Sequence, residues 1–183
     1  MPKIRVAGFL VLIIAIASYL LRPKVKLSDI EQQNTGLYPD TPIPIEPGDL
    51  LFSPTGKSES KYVGHVGIVD ADGNVIHSIP AGLKKDTVLE YFRKFRAIKI
   101  YKPHNPETGE KAARHLALLY EHHPKAAYRI LTPLNDMEEQ QYCTKIVWQS
   151  YYHGAGVSLG RIKPAWKAIH PSLLKDRRHL KRM

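Results

Sequence analysis

Cysteine is nearly absent from this sequence, with Cys143 its sole example. An intramolecular disulfide and a cysteine-rich zinc site are therefore both excluded, and Cys143 is a buried small apolar residue, an intermolecular link or a nucleophile. Low-complexity stretches and internal repeats are also missing, which removes solenoids and other repeat architectures. Acidic residues are scarce: 17 Asp and Glu stand against 27 Lys and Arg, for a net charge of +10. The excess is uneven, because residues 161–183 hold eight Lys and Arg against Asp176, a net of +7. Such a tail attracts anionic surfaces, although its plainer reading is a solvated terminus. No RNA- or DNA-binding motif accompanies it, so nucleic acid is not an expected partner.

What is present is an ordinary globular composition, 43% apolar and 24% charged, with disorder expected only near the ends. Beyond a short N-terminal apolar segment, about 160 residues are left for a core. That supports one catalytic domain and no second.

Lys3 and Arg5 precede an apolar run from Val6 to Leu21, and Arg22, Lys24 and Lys26 follow it. This is the layout of a signal peptide or a membrane anchor, assigned to residues 1–26. As a helix the run is about 24 Å long, short of a hydrocarbon core of roughly 30 Å, and the flanking cations make up the difference by snorkelling. The segment has no cysteine to take a lipid. The expected topology has the N-terminus in the cytoplasm and the domain on the outer, periplasmic side of the membrane, anchored or exported. Residues 27–47, with Gly36, Pro39, Pro42, Pro44 and Pro47, read as a proline-rich spacer. The folded domain is expected over 48–160 and the basic tail over 161–183.

Within the domain, Asp49–Ser53 reads as a strand and 54–61 as a polar loop. His65–Asp70 and Val75–Ile79 are β-type runs joined by Ala71-Asp72-Gly73-Asn74, where Asp-Gly supplies the positive φ of a tight hairpin. Further strands are expected at Ala97–Tyr101 and Ala127–Leu131. Thr87 with Glu90 forms a capping box for a helix to about Phe95, and Asn105-Pro106 opens another to about His122; both read as scaffold. A third helix from about Glu138 to His153 carries Cys143, Ile146, Val147, Ser150 and Tyr151 at three- and four-residue spacings, ended by Gly154 and Gly156. The class is α+β.

A thiol near a helix start meets unpaired backbone N–H groups and the positive end of the helix dipole, which favour its thiolate. A histidine is then needed to move the proton. Of nine histidines, His65 and His77 are best placed, since they lie on the two strands of one hairpin and fold into neighbouring positions. One then orients the other, in the manner of a triad.

Four motifs in order carry a resemblance: Gly48-Asp49-Leu50-Leu51, Gly64-His65-Val66-Gly67-Ile68-Val69, Val75-Ile76-His77 and Tyr142-Cys143-Thr144-Lys145-Ile146-Val147-Trp148. Together, over about residues 47–160, they resemble the YiiX/YebB-like cysteine hydrolases. These are the circularly permuted branch of the NlpC-type papain-like superfamily, related to lecithin retinol acyltransferase. The resemblance implies Cys143 as nucleophile, His65 as base and a polar third member at His77, where YiiX-like chains often carry a carboxylate and acyltransferase-like chains a histidine. It implies a thiol hydrolase acting through an acyl-thioester on a cell-wall peptide or an acylated small molecule. The rivals are acyl transfer from lipid and a non-catalytic, membrane-tethered binding module.

Weaker expectations surround this centre. Tyr142 is expected to pack, Asp49 to close a turn or hold backbone N–H groups, and the N–H of Cys143 to serve as oxyanion donor. His115, His122 and His123 read as a solvated helix end, with no carboxylate at ligand spacing. No metal and no cofactor are expected.

Overall fold

The computed structural model describes residues 36–54, 64–136 and 138–183. The apolar run at 6–21 and most of the loop 54–61 lie outside them. Among the described residues no helix is long and apolar enough to cross a membrane.

The first strand, β1 (Leu50–Ser53), is fully buried. Two further strands, β2 (His65–Val69) and β3 (Asn74–Ile79), form the expected hairpin. In its turn Gly73 takes φ 79°, and Asp70 Oδ1 accepts the N–H groups of Asp72 and Asn74 at 2.9 and 2.8 Å. A side-chain carboxylate that mimics a turn carbonyl fixes the hairpin register. Next come β4 (Gly82–Thr87) and the helix α1 (Val88–Lys94), with both capping-box bonds between Thr87 and Glu90 in place.

They are followed by β5 (Lys99–Pro103) and the helix α2 (Pro106–His122), capped by Asn105. The short strands β6 (Ala127–Tyr128) and β7 (Gln140–Gln141) pair with each other in parallel. The helix α3 (Cys143–Gln149) runs on into a π-helical turn, Ser150–Gly154. Two 3-10 turns lead to the last strand, β8 (Leu180–Arg182).

Among the described residues six strands form one antiparallel sheet in the order β4-β3-β2-β1-β5-β8. Alternation along each strand sends side chains to opposite faces. Leu50, Phe52, Val66, Ile68 and Ile76 cover one face and pack with Leu116 and Leu119 of α2 and with Ile146 and Val147 of α3. Leu51, Val69 and Val75 cover the other and pack with Tyr91 of α1 and with Tyr38.

Several expectations shift. The strand expected at Ala97 starts at Lys99, because Ala97 takes φ 49° and breaks the extended run. The strand expected over 127–131 ends at Tyr128, and its pairing with Gln140–Gln141 keeps that segment extended, so the helix begins at Cys143 rather than Glu138.

The compact unit spans Gly36–Met183, wider than the expected 48–160. Residues 36–47 pack as well as space: Tyr38 is buried, and the segment folds back through Tyr38 N–H to Ile43 O at 2.9 Å. The basic segment is no free tail, since Ile169, Leu174 and Leu180 enter the core and Leu180–Arg182 pairs with β5. The positive charges of residues 161–183 dominate that stretch's composition, but its few apolar side chains decide where it goes.

Candidate active site

Pairing between β2 and β3 is confined to the turn end, at Ile68↔Ile76 and Val69↔Val75. Beyond those pairs the connection is made by side chains: His65 Nε2 lies 2.9 Å from His77 Nδ1. Both rings are buried. The far nitrogen of His77, Nε2, lies 2.9 Å from Asp86 Oδ2. Lys94 Nζ in turn donates to Asp86 Oδ1 and Oδ2 at 2.6 and 2.7 Å.

This chain fixes the protons. Asp86 is shielded from water, which disfavours its charge, but the bonds from Lys94 and His77 outweigh this and hold the carboxyl below its usual range. An ionised carboxylate only accepts, so His77 Nε2–H donates to it. Burial lowers the His77 pKa, so the ring is neutral at physiological pH and its Nδ1 is an acceptor. His65 must then donate through Nε2–H, leaving its lone pair on Nδ1. Burial, and next the neighbouring His77, push the His65 pKa down to about 3. The ring is neutral at any physiological pH.

Aromatic rings hold this arrangement. Phe95 stacks on His65 with centroids 4.5 Å apart and planes within 9°. Tyr91 meets His77 edge-on at 5.2 Å, and its hydroxyl donates to Leu51 O at 3.0 Å. Tyr91 reaches so deep because Gly67 has no side chain: a Cβ there would lie 3.0 Å from the Tyr91 ring and 2.6 Å from Val75 Cγ1. The Gly in the His-Val-Gly run thus makes room for the wall of the site.

Cys143 is the first residue of α3, whose seven residues are all buried, and α3 packs on β2 and β3. Its Sγ lies 3.9 Å from Thr144 Oγ1. The backbone N–H groups of Val66, Thr144 and Cys143 itself also bear on the sulfur, and Val66 directly follows His65. These donors favour a thiolate, but burial outweighs them and raises the pKa. The expected depression of the thiol pKa is thus reversed, because a helix start stabilises charge only to the extent that the site is not sealed from solvent. At rest the sulfur is a neutral thiol. Among the described residues, no hydrogen bond joins it to either histidine.

Other expectations are met by packing. The Tyr142 hydroxyl accepts the Ile169 N–H at 3.3 Å in a buried contact. Asp49 accepts the Glu46 N–H at 3.0 Å, closing a turn, and also the Tyr38 hydroxyl at 2.8 Å and Lys102 Nζ at 3.2 Å. The histidines in and just after α2 depart from the expected solvated helix end: His122 is exposed, but His123 Nε2 lies 3.5 Å from Glu138, and His115 is half-buried within the helix with its ring 5.5 Å from that of His153.

The sequence reading missed Asp86 and Lys94, and α1, read as scaffold, supplies Lys94 together with Tyr91. No local pattern marks Asp86: it is the pairing of β3 with β4, in which Val75 faces Asp86, that sets Asp86 diagonally beside His77 on the same face.

A buried cysteine at a helix start, packed on the two strands that carry His65 and His77, here sits in a YiiX-like permuted papain-type fold. Over residues 5–176 the chain matches the lipoprotein N-acylation protein LnsA-like family, and it belongs to that family. Its fold is similar to that of metalloprotein yiiX from Escherichia coli O157:H7, with a TM-score of 0.53 at 15% identity over 75% of this chain and 96% of that one. Among curated proteins the chain has no match.

Proposed function

We propose that this protein is a cysteine acyltransferase that carries an acyl group on Cys143 as a thioester and passes it to an amine. In this reading Cys143 Sγ attacks the carbonyl of an ester while His65 Nδ1 takes the thiol proton. The proton then moves to the departing alkoxide. An amine attacks the thioester, loses a proton to His65, and the sulfur leaves and is reprotonated. His77 and Asp86 hold the charge that His65 transiently gains, and the Cys143 N–H faces the developing oxyanion.

The observation that carries this reading over hydrolysis is burial: Cys143 is 6% and His65 5% exposed, and the Phe95 and Tyr91 rings stack on His65. A thioester held there is kept from water and waits for a better nucleophile. The family's own description, N-acylation of lipoproteins, supports the same acceptor chemistry. The apolar run Val6–Leu21 then keeps the domain beside a bilayer where acyl lipids are found.

The yiiX relative is described as a metalloprotein. In this chain both ring nitrogens of His77 and both oxygens of Asp86 are already engaged. No group of three or more His, Cys, Asp or Glu among the described residues is arranged to hold an ion. The residues do not fit a metal, and no step runs through one.

The test is to incubate the full chain with an ester-linked acyl donor and measure its intact mass, then chase with an amine or with buffer alone. An acyl adduct on Cys143 that clears with amine and persists in buffer is expected. Rapid clearance in buffer would make the protein a hydrolase, and no adduct with any ester would make it a binding module.

A further inference from the structure

One half-buried cation, Lys175, forms no ion pair with any described residue, whereas Lys94, Lys102 and Lys85 meet Asp86, Asp49 and Asp70 respectively. Its Nζ sits over two aromatic rings, 4.9 Å from the centroid of Phe52 and 5.9 Å from that of Tyr101. The rings meet edge-to-face at 5.1 Å. Strand register sets its neighbours: Phe52 faces Lys99, and Tyr101 faces Arg182. Lys99 and Arg182 are exposed and likewise form no ion pair with a described residue. Burial, then Lys99 and Arg182, lower the Lys175 pKa, so both neighbouring charges act on Lys175. Such a cluster repels itself until an anion enters it.

Its position ties it to the nucleophile. Phe52, Lys99, Tyr101 and Arg182 share the face of the sheet on which α3 packs. Across that face the register runs from Val66, whose N–H bears on the Cys143 sulfur, to Phe52 and then to Lys99. Two strand spacings, roughly 10 Å, separate the strand beside the thiol from the first cation.

We infer that Lys99, Lys175 and Arg182 form a binding site for the phosphate group of the acyl donor, beside the thioester centre. The arginine fork suits paired phosphate oxygens and the two ammonium groups supply point charges, while Phe52 and Tyr101 fix the Lys175 stem. The inference rests on the acyl-transfer reading for the identity of the ligand, and on the cluster alone for its charge.

The experiment uses the full chain with Cys143→Ser, titrated calorimetrically with short-chain dihexanoylphosphatidylglycerol and separately with inorganic phosphate. Two variants are compared: Lys99→Gln with Arg182→Gln, and Lys175→Met, which keeps a stem over the rings. Phospholipid affinity should fall about fivefold for each cation removed. With Cys143 intact, the rate of thioester formation from the phospholipid relative to p-nitrophenyl hexanoate should fall as well. Unchanged phospholipid affinity in both variants would overturn the proposal, as would a site that binds inorganic phosphate and ignores the lipid. Charge-dependent phospholipid binding in a chain that forms no thioester from either ester would keep the phosphate site and remove the acyl-transfer reading.

Discussion

Two buried carboxylates, each touched by one lysine, sit in opposite electrostatic states. Asp86 receives Lys94 on both oxygens and His77 on one, and its pKa is held low. Burial instead raises Asp49 to about 6, despite the Tyr38 hydroxyl, the Glu46 N–H and Lys102. The lysines differ in what else they serve. Lys102 divides itself among Asp49, Glu46 and Pro44 O, whereas Lys94 gives both of its short bonds to Asp86. One carboxylate is built to stay charged and aim a proton-carrying ring. The other is a latch that fastens residues 36–47 to the start of β1. A buried acid is thus functional or structural according to whether its partners complete its charge.

The largest expected effect falls on the first network. His65→Ala should lower the rate of thioester formation by at least ~10²–10⁴, and His77→Ala by less, because it loses orientation rather than the base. His77→Glu should retain activity if a carboxylate at this position orients His65 equally well. Rapid-quench mass spectrometry with the acyl donor measures all three. Full activity in His77→Ala would remove it from the relay.

Next comes the direct contrast. Asp86→Asn should slow thioester formation about ten- to hundredfold, the worth of one charge-assisted hydrogen bond. Asp49→Asn should leave that rate alone and instead cost about 1–3 kcal/mol of stability in urea melts. An equal loss of rate in both variants would erase the distinction between them.

The two carboxylates also carry opposite pH signatures. Asp49 has a raised folded pKa, so its contribution to stability is complete below about pH 4 and is lost as pH rises through about 6. Asp86 has a lowered pKa, so its contribution is present above about pH 4 and is lost on acidification below that. His65, lowered to about 3, contributes above its ordinary pKa of about 6.5 and loses that contribution as pH falls. Between about pH 6.5 and 4, Asp49→Asn should therefore steepen the loss of stability on acidification, and His65→Asn should flatten it. Chemical denaturation at fixed pH steps reads both slopes.

The smallest pair of effects sharpens the same contrast. Lys94 is half exposed, so Lys94→Met should cost about two- to fivefold in rate and little stability. Tyr38→Phe removes one buried hydrogen bond to the latch and should cost about 1 kcal/mol of stability with no change in rate.

The sequence made some of this legible because the information was local. Asp72-Gly73 specified a turn, Thr87 with Glu90 a helix start, and twelve residues of hairpin the meeting of His65 and His77. Asp86 and Lys94 were hidden because their roles depend on a second register, between β3 and β4, and on which face of α1 turns inward. The helix start at Cys143 depended on Gln140–Gln141 finding Ala127–Tyr128, a contact that no propensity encodes. The thiol's charge state was misjudged because a dipole argument contains no burial.

Both outer strands of the sheet carry adjacent cations, Lys84 and Lys85 on β4 and Lys181 and Arg182 on β8. An outer strand offers unpaired backbone groups to any passing extended chain, and neighbouring positive charges make a second copy of the same strand a poor guest. The last strand is also only three residues long, too short to template another. Positive charge at these edge positions thus works against a seventh strand taken from a neighbouring copy, at β8 through Lys181 and Arg182 and at β4 through Lys84, since Lys85 is held by Asp70 and Asp72.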